Sequence, residues 1–90
     1  MYTVKPTVRF KRDLKIAARR GYDINLLTDV IEILASGSSL PEKYKAHYLS
    51  GNWVNHQECH ITPDWLLIYK IDADILVLTL TRTGSHNDLF

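Results

Sequence analysis

The sequence is poor in the residues that announce a specialised class of protein. It holds one cysteine, Cys59, so no internal disulfide can form, as expected of a protein kept in a reducing cytoplasm. Its 4 glycines build no phosphate-cradling loop, and its serines fall in turns without a nucleophile-elbow signature. No apolar run approaches the roughly 20 residues of a membrane helix. The first nine residues lack the apolar core of a secretory leader, so none is expected. Internal repeats and low-complexity tracts are missing too. What remains, at 46% hydrophobic and 23% charged, is the composition of a soluble globular protein. A chain of 90 residues has room for one small core, and residues 1–90 are read as a single domain.

A formal net charge of +1 hides an asymmetry. Residues 1–45 carry nine Lys/Arg against five Asp/Glu, whereas residues 46–90 carry two against five. The positive half is concentrated in Lys5, Arg9, Lys11, Arg12, Lys15, Arg19 and Arg20. A cluster that dense attracts phosphate backbones. It also suits the solvated face of an amphipathic helix, and the sequence alone weights the two readings evenly.

The patterning predicts a short strand over residues 2–6, then a helix capped by Thr7 and stopped by Gly21. On it Phe10, Leu14, Ala17 and Ala18 form an apolar stripe, while Lys11, Lys15 and Arg19, with Arg12 and Arg20 nearby, line another face. Asp23 caps a second helix whose Leu27, Val30, Ile31 and Leu34 are its buried stripe. The short connection between the two predicts an antiparallel helix hairpin. After the loop at 36–42 and a turn at Ser50-Gly-Asn52, residues 54–61, 65–71 and 75–83 read as antiparallel strands joined by tight connections. The expected architecture is α+β: an N-terminal strand and a helix hairpin packed on one face of a twisted, mainly antiparallel sheet.

Few side chains here suggest chemistry on their own. His56 and His60 would suit one metal ion on a helix, but on a strand they stand about 13 Å apart, and no metal or other cofactor is expected. Cys59 lacks an evident base and reads as a small buried hydrophobe. Glu42, Glu58, Asp72 and Asp74 read as turn and surface residues. His47, His60, Asp64, Arg82 and His86 resist a dull reading as a group. His60 and Asp64 flank a tight turn, and Arg82 and His86 reach the same corner only if the strand order allows it. Acid/base groups, a phosphate-sized cation and the stacking surfaces of Trp65 and Phe90 are the parts needed to hold a single-stranded RNA and move its protons.

Three segments carry a family resemblance: His47-Tyr-Leu-Ser-Gly-Asn-Trp53, Glu58-Cys-His-Ile-Thr-Pro-Asp-Trp-Leu-Leu-Ile-Tyr-Lys70 and Arg82-Thr-Gly-Ser-His-Asn-Asp-Leu-Phe90. They resemble the YafQ-type toxins of the RelE/ParE superfamily of bacterial toxin–antitoxin systems, and the basic helix hairpin extends the likeness over nearly the whole chain. The resemblance implies a RelE-like fold and an mRNA endoribonuclease acting on the ribosome, inhibiting translation; the want of a plausible ligand set adds the expectation that it needs no metal. The resemblance also implies a cognate DinJ/RelB-like antitoxin encoded nearby, operator DNA contacted only through the antitoxin complex, and no membrane partner. By position it places the functional residues at His47, His60, Asp64, Trp65, Arg82, His86 and Phe90. Position 57 departs from the pattern, being Gln where relatives commonly carry Arg, and the net charge is low for a protein that docks on ribosomal RNA.

In such chemistry RNA supplies its own nucleophile, the 2′-OH, and the protein supplies a base, an acid and a cation. His86 is the expected acid, the His60/Asp64/His47 group the base, and Arg82 the transition-state cation, with Lys11, Arg12, Lys15 and Arg19 holding backbone phosphates. The competing expectation is a binding module, ParE-like or a remnant, that engages antitoxin or nucleic acid without cleaving.

Overall fold

The computed structural model describes all 90 residues. Strand β1 (Thr3–Pro6) leads into helices α1 (Val8–Arg19) and α2 (Ile24–Ala35), followed by β2 (His47–Tyr48), β3 (Gln57–Thr62), β4 (Trp65–Asp72), β5 (Val77–Gly84) and a single-turn helix α3 (His86–Leu89). Each boundary has a local chemical cause. Thr7 ends β1 and opens α1: its Oγ1 accepts the Phe10 N–H at 3.0 Å and its hydroxyl donates to the Thr81 carbonyl at 2.8 Å. Asp23 caps α2 by accepting the Asn25 N–H at 3.1 Å. Between the helices Gly21 takes φ +81°, a left-handed position that lets the Gly21 and Tyr22 N–H groups close on the last carbonyls of α1.

The sheet runs β1-β5-β4-β3-β2. β1 pairs with β5 in parallel, and the other three pairings are antiparallel. β4 is therefore central, and Trp65 to Tyr69 is a run of five buried residues, as a strand covered on both faces should be. On one face Phe10 and Ala17 of α1 and Leu27, Val30 and Leu34 of α2 close the main core over Cys59, Ile61, Leu67, Tyr69, Leu78 and Leu80. On the other, Leu66 and Ile68 are covered by Leu89 of α3, with Leu49 and Trp53 beside them. The long helices thus lie on one face, as expected, and the opposite face is left open enough to carry a site.

Three expectations need correction. Residues 54–56 precede β3, and Val54 is exposed. β5 begins at Val77, because Asp72 accepts the Asp74 N–H at 3.1 Å and Leu76 adopts φ +53°, a turn that leaves Ile75 and Leu76 exposed. On α1 Ala18 is exposed, and the buried stripe is Phe10, Asp13 and Ala17. No helix is long and apolar enough to cross a membrane.

Candidate active site

Strand pairing builds the centre of the site. Register places His47 of β2 opposite Glu58 of β3, and alternation along β3 turns Glu58 and His60 to the face away from Cys59. Glu58 Oε1 consequently lies 3.5 Å from His47 Nε2 and 3.8 Å from His60 Nε2. The imidazole centroids are 6.3 Å apart. His47 Nδ1 is 2.8 Å from the Lys45 carbonyl and His60 Nδ1 is 3.4 Å from that of Pro63. At 2.8 Å from a carbonyl, which only accepts, the His47 Nδ1 is set to be the donor, and both Nε2 atoms turn toward the carboxylate. Such a contact is attractive only when a proton lies between nitrogen and carboxyl group.

Glu58 corrects the reading of it as a surface residue. Its side chain is 7% exposed, and Oε2 is buried with no hydrogen-bond partner. A buried acidic oxygen with no partner among the protein groups is costly, and such a group marks a place where stability alone does not explain the residue. A cleft of about 410 Å³ opens beside His60, lined also by Lys43, Tyr44, Lys45 and Pro63. Lys45, with φ +52°, holds a left-handed conformation rare for a non-glycine residue.

The second half of the site comes from the end of β5. Gly84 pairs with Leu66, so α3 emerges beside the β3–β4 turn, and Asp64 Oδ1 accepts the His86 N–H at 3.3 Å. Strand order therefore brings His86 to the corner of His60 and Asp64. A four-residue helix cannot hold itself together, and α3 has three anchors. Ser85 and Asp88 form a capping box, Leu89 is buried, worth roughly 1.5–3 kcal/mol for a side chain of this size, and Arg20 grips Asp88 at 2.6 and 3.2 Å. A Cβ at position 84 would meet Asp88 Cβ at 3.0 Å, so any larger residue there would push Asp88 and α3 outward by a few tenths of an ångström. His86 and Phe90 stack with centroids 5.1 Å apart, and Phe90 is 54% exposed.

Arg82 is held differently from expectation. Asp13 of α1 takes its Nε and Nη2 at 3.0 Å each and also accepts the Thr83 N–H at 3.2 Å. The Asp13 carboxylate holds the guanidinium pKa above its ordinary value. The Nε/Nη2 edge of the fork is taken, leaving both Nη1 hydrogens and the second Nη2 hydrogen without a protein partner. Trp65 is a clear correction. It is 3% exposed, tilts against Tyr22 at 4.9 Å and donates Nε1–H to Thr83 Oγ1 at 2.9 Å, so it is a core residue and offers no face to a base. Lys11, Arg12, Lys15 and Arg19 are all exposed. Gln57, at the departing position, faces Tyr69, whose hydroxyl donates to Oε1 at 3.4 Å. Asp13 was detectable as the lone acid on a basic helix at i+3 from Phe10, and Glu58 as the strand neighbour, two residues away, of His60.

A family model described as a bacterial toxin of type II toxin–antitoxin systems, YafQ, matches residues 2–90. The chain belongs to the YafQ family. It is 37% identical over 83 residues to the mRNA interferase toxin YafQ of Escherichia coli K12, covering 91% of this chain and 88% of that protein. The metal-bound toxin from Helicobacter pylori superposes with a TM-score of 0.93 at 42% identity, covering 100% of both chains. The YafQ chain of the E. coli DinJ–YafQ complex superposes with a TM-score of 0.92 at 34% identity, covering 100% of this chain and 99% of that one. The architecture is thus that of YafQ structures. No group of three or more His, Cys, Asp or Glu meets the spacing of a metal site.

Proposed function

We propose that this YafQ-family toxin is a ribosome-dependent mRNA endoribonuclease of the cytoplasm that works by acid/base catalysis without a metal. The observation that carries the reading is the Glu58 carboxyl group set between His47 and His60, at the corner where Asp64 holds the His86 backbone. In the reaction the 2′-oxygen forms a bond to the adjacent phosphorus and the bond from phosphorus to the 5′-oxygen breaks. The His47/Glu58/His60 cluster, with Asp64 at its edge, takes the 2′-OH proton, and His86 delivers a proton to the departing 5′-oxygen. Arg82 offers Nη1 and its charge to the phosphorane-like transition state. With its Nε/Nη2 edge committed to Asp13, its direction is fixed and its Nη1/Nη2 end is free to meet phosphate oxygens. Phe90 stacks the base next to the scissile phosphate. The products are a 2′,3′-cyclic (or 3′) phosphate and a 5′-hydroxyl.

The partners on this reading are the ribosome with its mRNA, reached through the exposed Lys11, Arg12, Lys15 and Arg19, and a DinJ/RelB-like antitoxin. Operator DNA is met only through the complex with that antitoxin. The test is single-turnover cleavage of mRNA on programmed ribosomes by the wild-type chain and by Glu58→Gln, with the ends of the products identified. The wild type should cleave in EDTA on a substrate that does not itself need magnesium. Glu58→Gln, unable to exchange protons, should be slower by roughly 10²-fold or more. No cleavage by a folded wild-type chain would overturn the reading in favour of a binding module, and a full-rate Glu58→Gln would remove the cluster from the chemistry.

A further inference from the structure

We infer that Arg20 is a positioning residue for the reaction, its two-point grip on Asp88 holding the short helix that presents His86 and Phe90. The inference rests on the reading of His86 as the acid. Arg20 follows the last residue of α1 and belongs by sequence to the basic cluster, yet it is spoken for. Its Nη1 and Nη2 meet the two carboxylate oxygens of Asp88 at 2.6 and 3.2 Å, across 68 positions of chain. A surface cation meant only for phosphates has no need of an internal carboxylate.

The geometry explains why this ion pair matters more than its exposure suggests. With side chains 43% and 30% exposed, the pair contributes little to global stability. What it acts on is a helix of four residues, far below the length that is stable alone. Asp88 is the middle of the device: Oδ2 also accepts the Ser85 N–H at 2.8 Å, so one carboxylate closes the cap of α3 and fastens it to the α1–α2 connection. His86 and Phe90 lie two residues to either side of Asp88. If the grip opens, α3 keeps its own capping box and Leu89, but its His86 end is held at the active corner only by the long 3.3 Å contact with Asp64. Small misplacements of a proton donor are expensive, with displacements near 1 Å costing up to about 10²-fold in rate.

The test compares Arg20→Met, Asp88→Asn and the double variant. Asparagine keeps an acceptor for the Ser85 N–H while losing the charge that holds the guanidinium. Single-turnover cleavage over a range of programmed-ribosome concentrations separates the maximal rate from half-saturation. Nuclear Overhauser contacts between the His86 and Phe90 rings report α3 directly. Both single variants should lose about 10- to 100-fold in maximal rate and weaken the ring contacts, with melting curves nearly unchanged. The double variant should be no slower than the slower single one, and Arg20→Lys should rescue only in part, because an ammonium has no fork. A docking role for Arg20 makes a contrary prediction. Arg20→Met would then shift half-saturation alone, and Asp88→Asn, which adds positive charge, would leave cleavage intact. That result, or rate losses that multiply in the double variant, overturns the inference. His86→Ala run in parallel separates the layers. Full cleavage by it would remove the acid assignment and this inference together, whereas an inactive His86→Ala beside a fully active Arg20→Met would remove the clamp alone.

Discussion

Asp13 holds Arg82 by both carboxylate oxygens, each 3.0 Å from a guanidinium nitrogen, across 69 positions of sequence. β1 pairs only with the first half of β5, so the outer edge of the second half would be left bare. Asp13 covers it by accepting the Thr83 N–H as well. One carboxylate thereby finishes the sheet edge and aims the candidate transition-state cation.

Asp13→Ala should therefore lower both stability and activity. It strands a buried N–H and most of a half-buried guanidinium, a cost of about 1–3 kcal/mol. For a domain of this size each kcal/mol is worth roughly 4–8 °C in Tm. Arg82→Lys keeps the charge and should melt closer to wild type, while still cleaving poorly for want of a fixed direction. Thermal melts and single-turnover cleavage on the same samples check both halves, and an unchanged Tm for Asp13→Ala would contradict the edge role.

His86→Ala should separate chemistry from folding. The side chain is exposed, so the melt should stay near wild type, while the cleavage rate falls by roughly 10²–10⁴-fold, or about 2.7–5.5 kcal/mol of barrier. Removing Phe90 should also slow cleavage by misplacing the stacked base. A wild-type rate in either variant would show that this end of the chain takes no part in catalysis.

Reversing the charges of Lys11, Lys15 and Arg19 should weaken ribosome association and flatten its salt dependence. Each lost phosphate contact reduces the slope of log K against log salt by about 0.7–0.9. Sedimentation at several ionic strengths reads this, and an unaltered slope would mean that the stripe is merely solvated.

Alkaline titration should expose the buried Cys59. Burial, reinforced by the Glu58 charge, pushes its thiol up to about 12, against about 8.5 in an unfolded chain. The folded pKa is the higher one, so the native state keeps a proton that the unfolded state gives up. Stability from this group is complete below about pH 8.5 and is lost toward pH 12, by up to about 1.4 kcal/mol per pH unit. Denaturant midpoints from pH 8 to 11 should fall more steeply for the wild type than for Cys59→Ala. Tyr69, shifted the same way chiefly by burial and secondarily by the Cys59 charge, remains in both proteins, so its burial contribution cancels in the comparison. Parallel slopes would refute the assignment.

The features legible in the sequence are those decided by nearby residues. Thr7, Asp23 and Gly21 act on backbone groups within a turn of themselves, so the helix ends fall where the caps predict. The histidines, Asp64 and Phe90 were visible as residue types, and the structure gathers most of them at one corner. For Glu58 the sequence shows only its shared strand face with His60, because its role depends on the β2–β3 register that sets His47 opposite it. Trp65 looked like a stacking platform in the motif. Only the packing of Tyr22 and Thr83, from distant segments, shows that its ring is enclosed. The isolated Asp13 acquired meaning once β5 ran past the end of β1.

The parallel pairing of β1 with β5 also fixes an order of events during synthesis. Thr7 reaches its partner Thr81 across 74 positions, and contacts of such separation form late because the loop must close first. Until residues 77–84 are made, β4 lacks one neighbour, β1 has none and α1 has no edge to cross. Arg82 and His86 arrive with that same stretch of chain. Assembly of the candidate centre therefore waits on the same closure that completes the sheet.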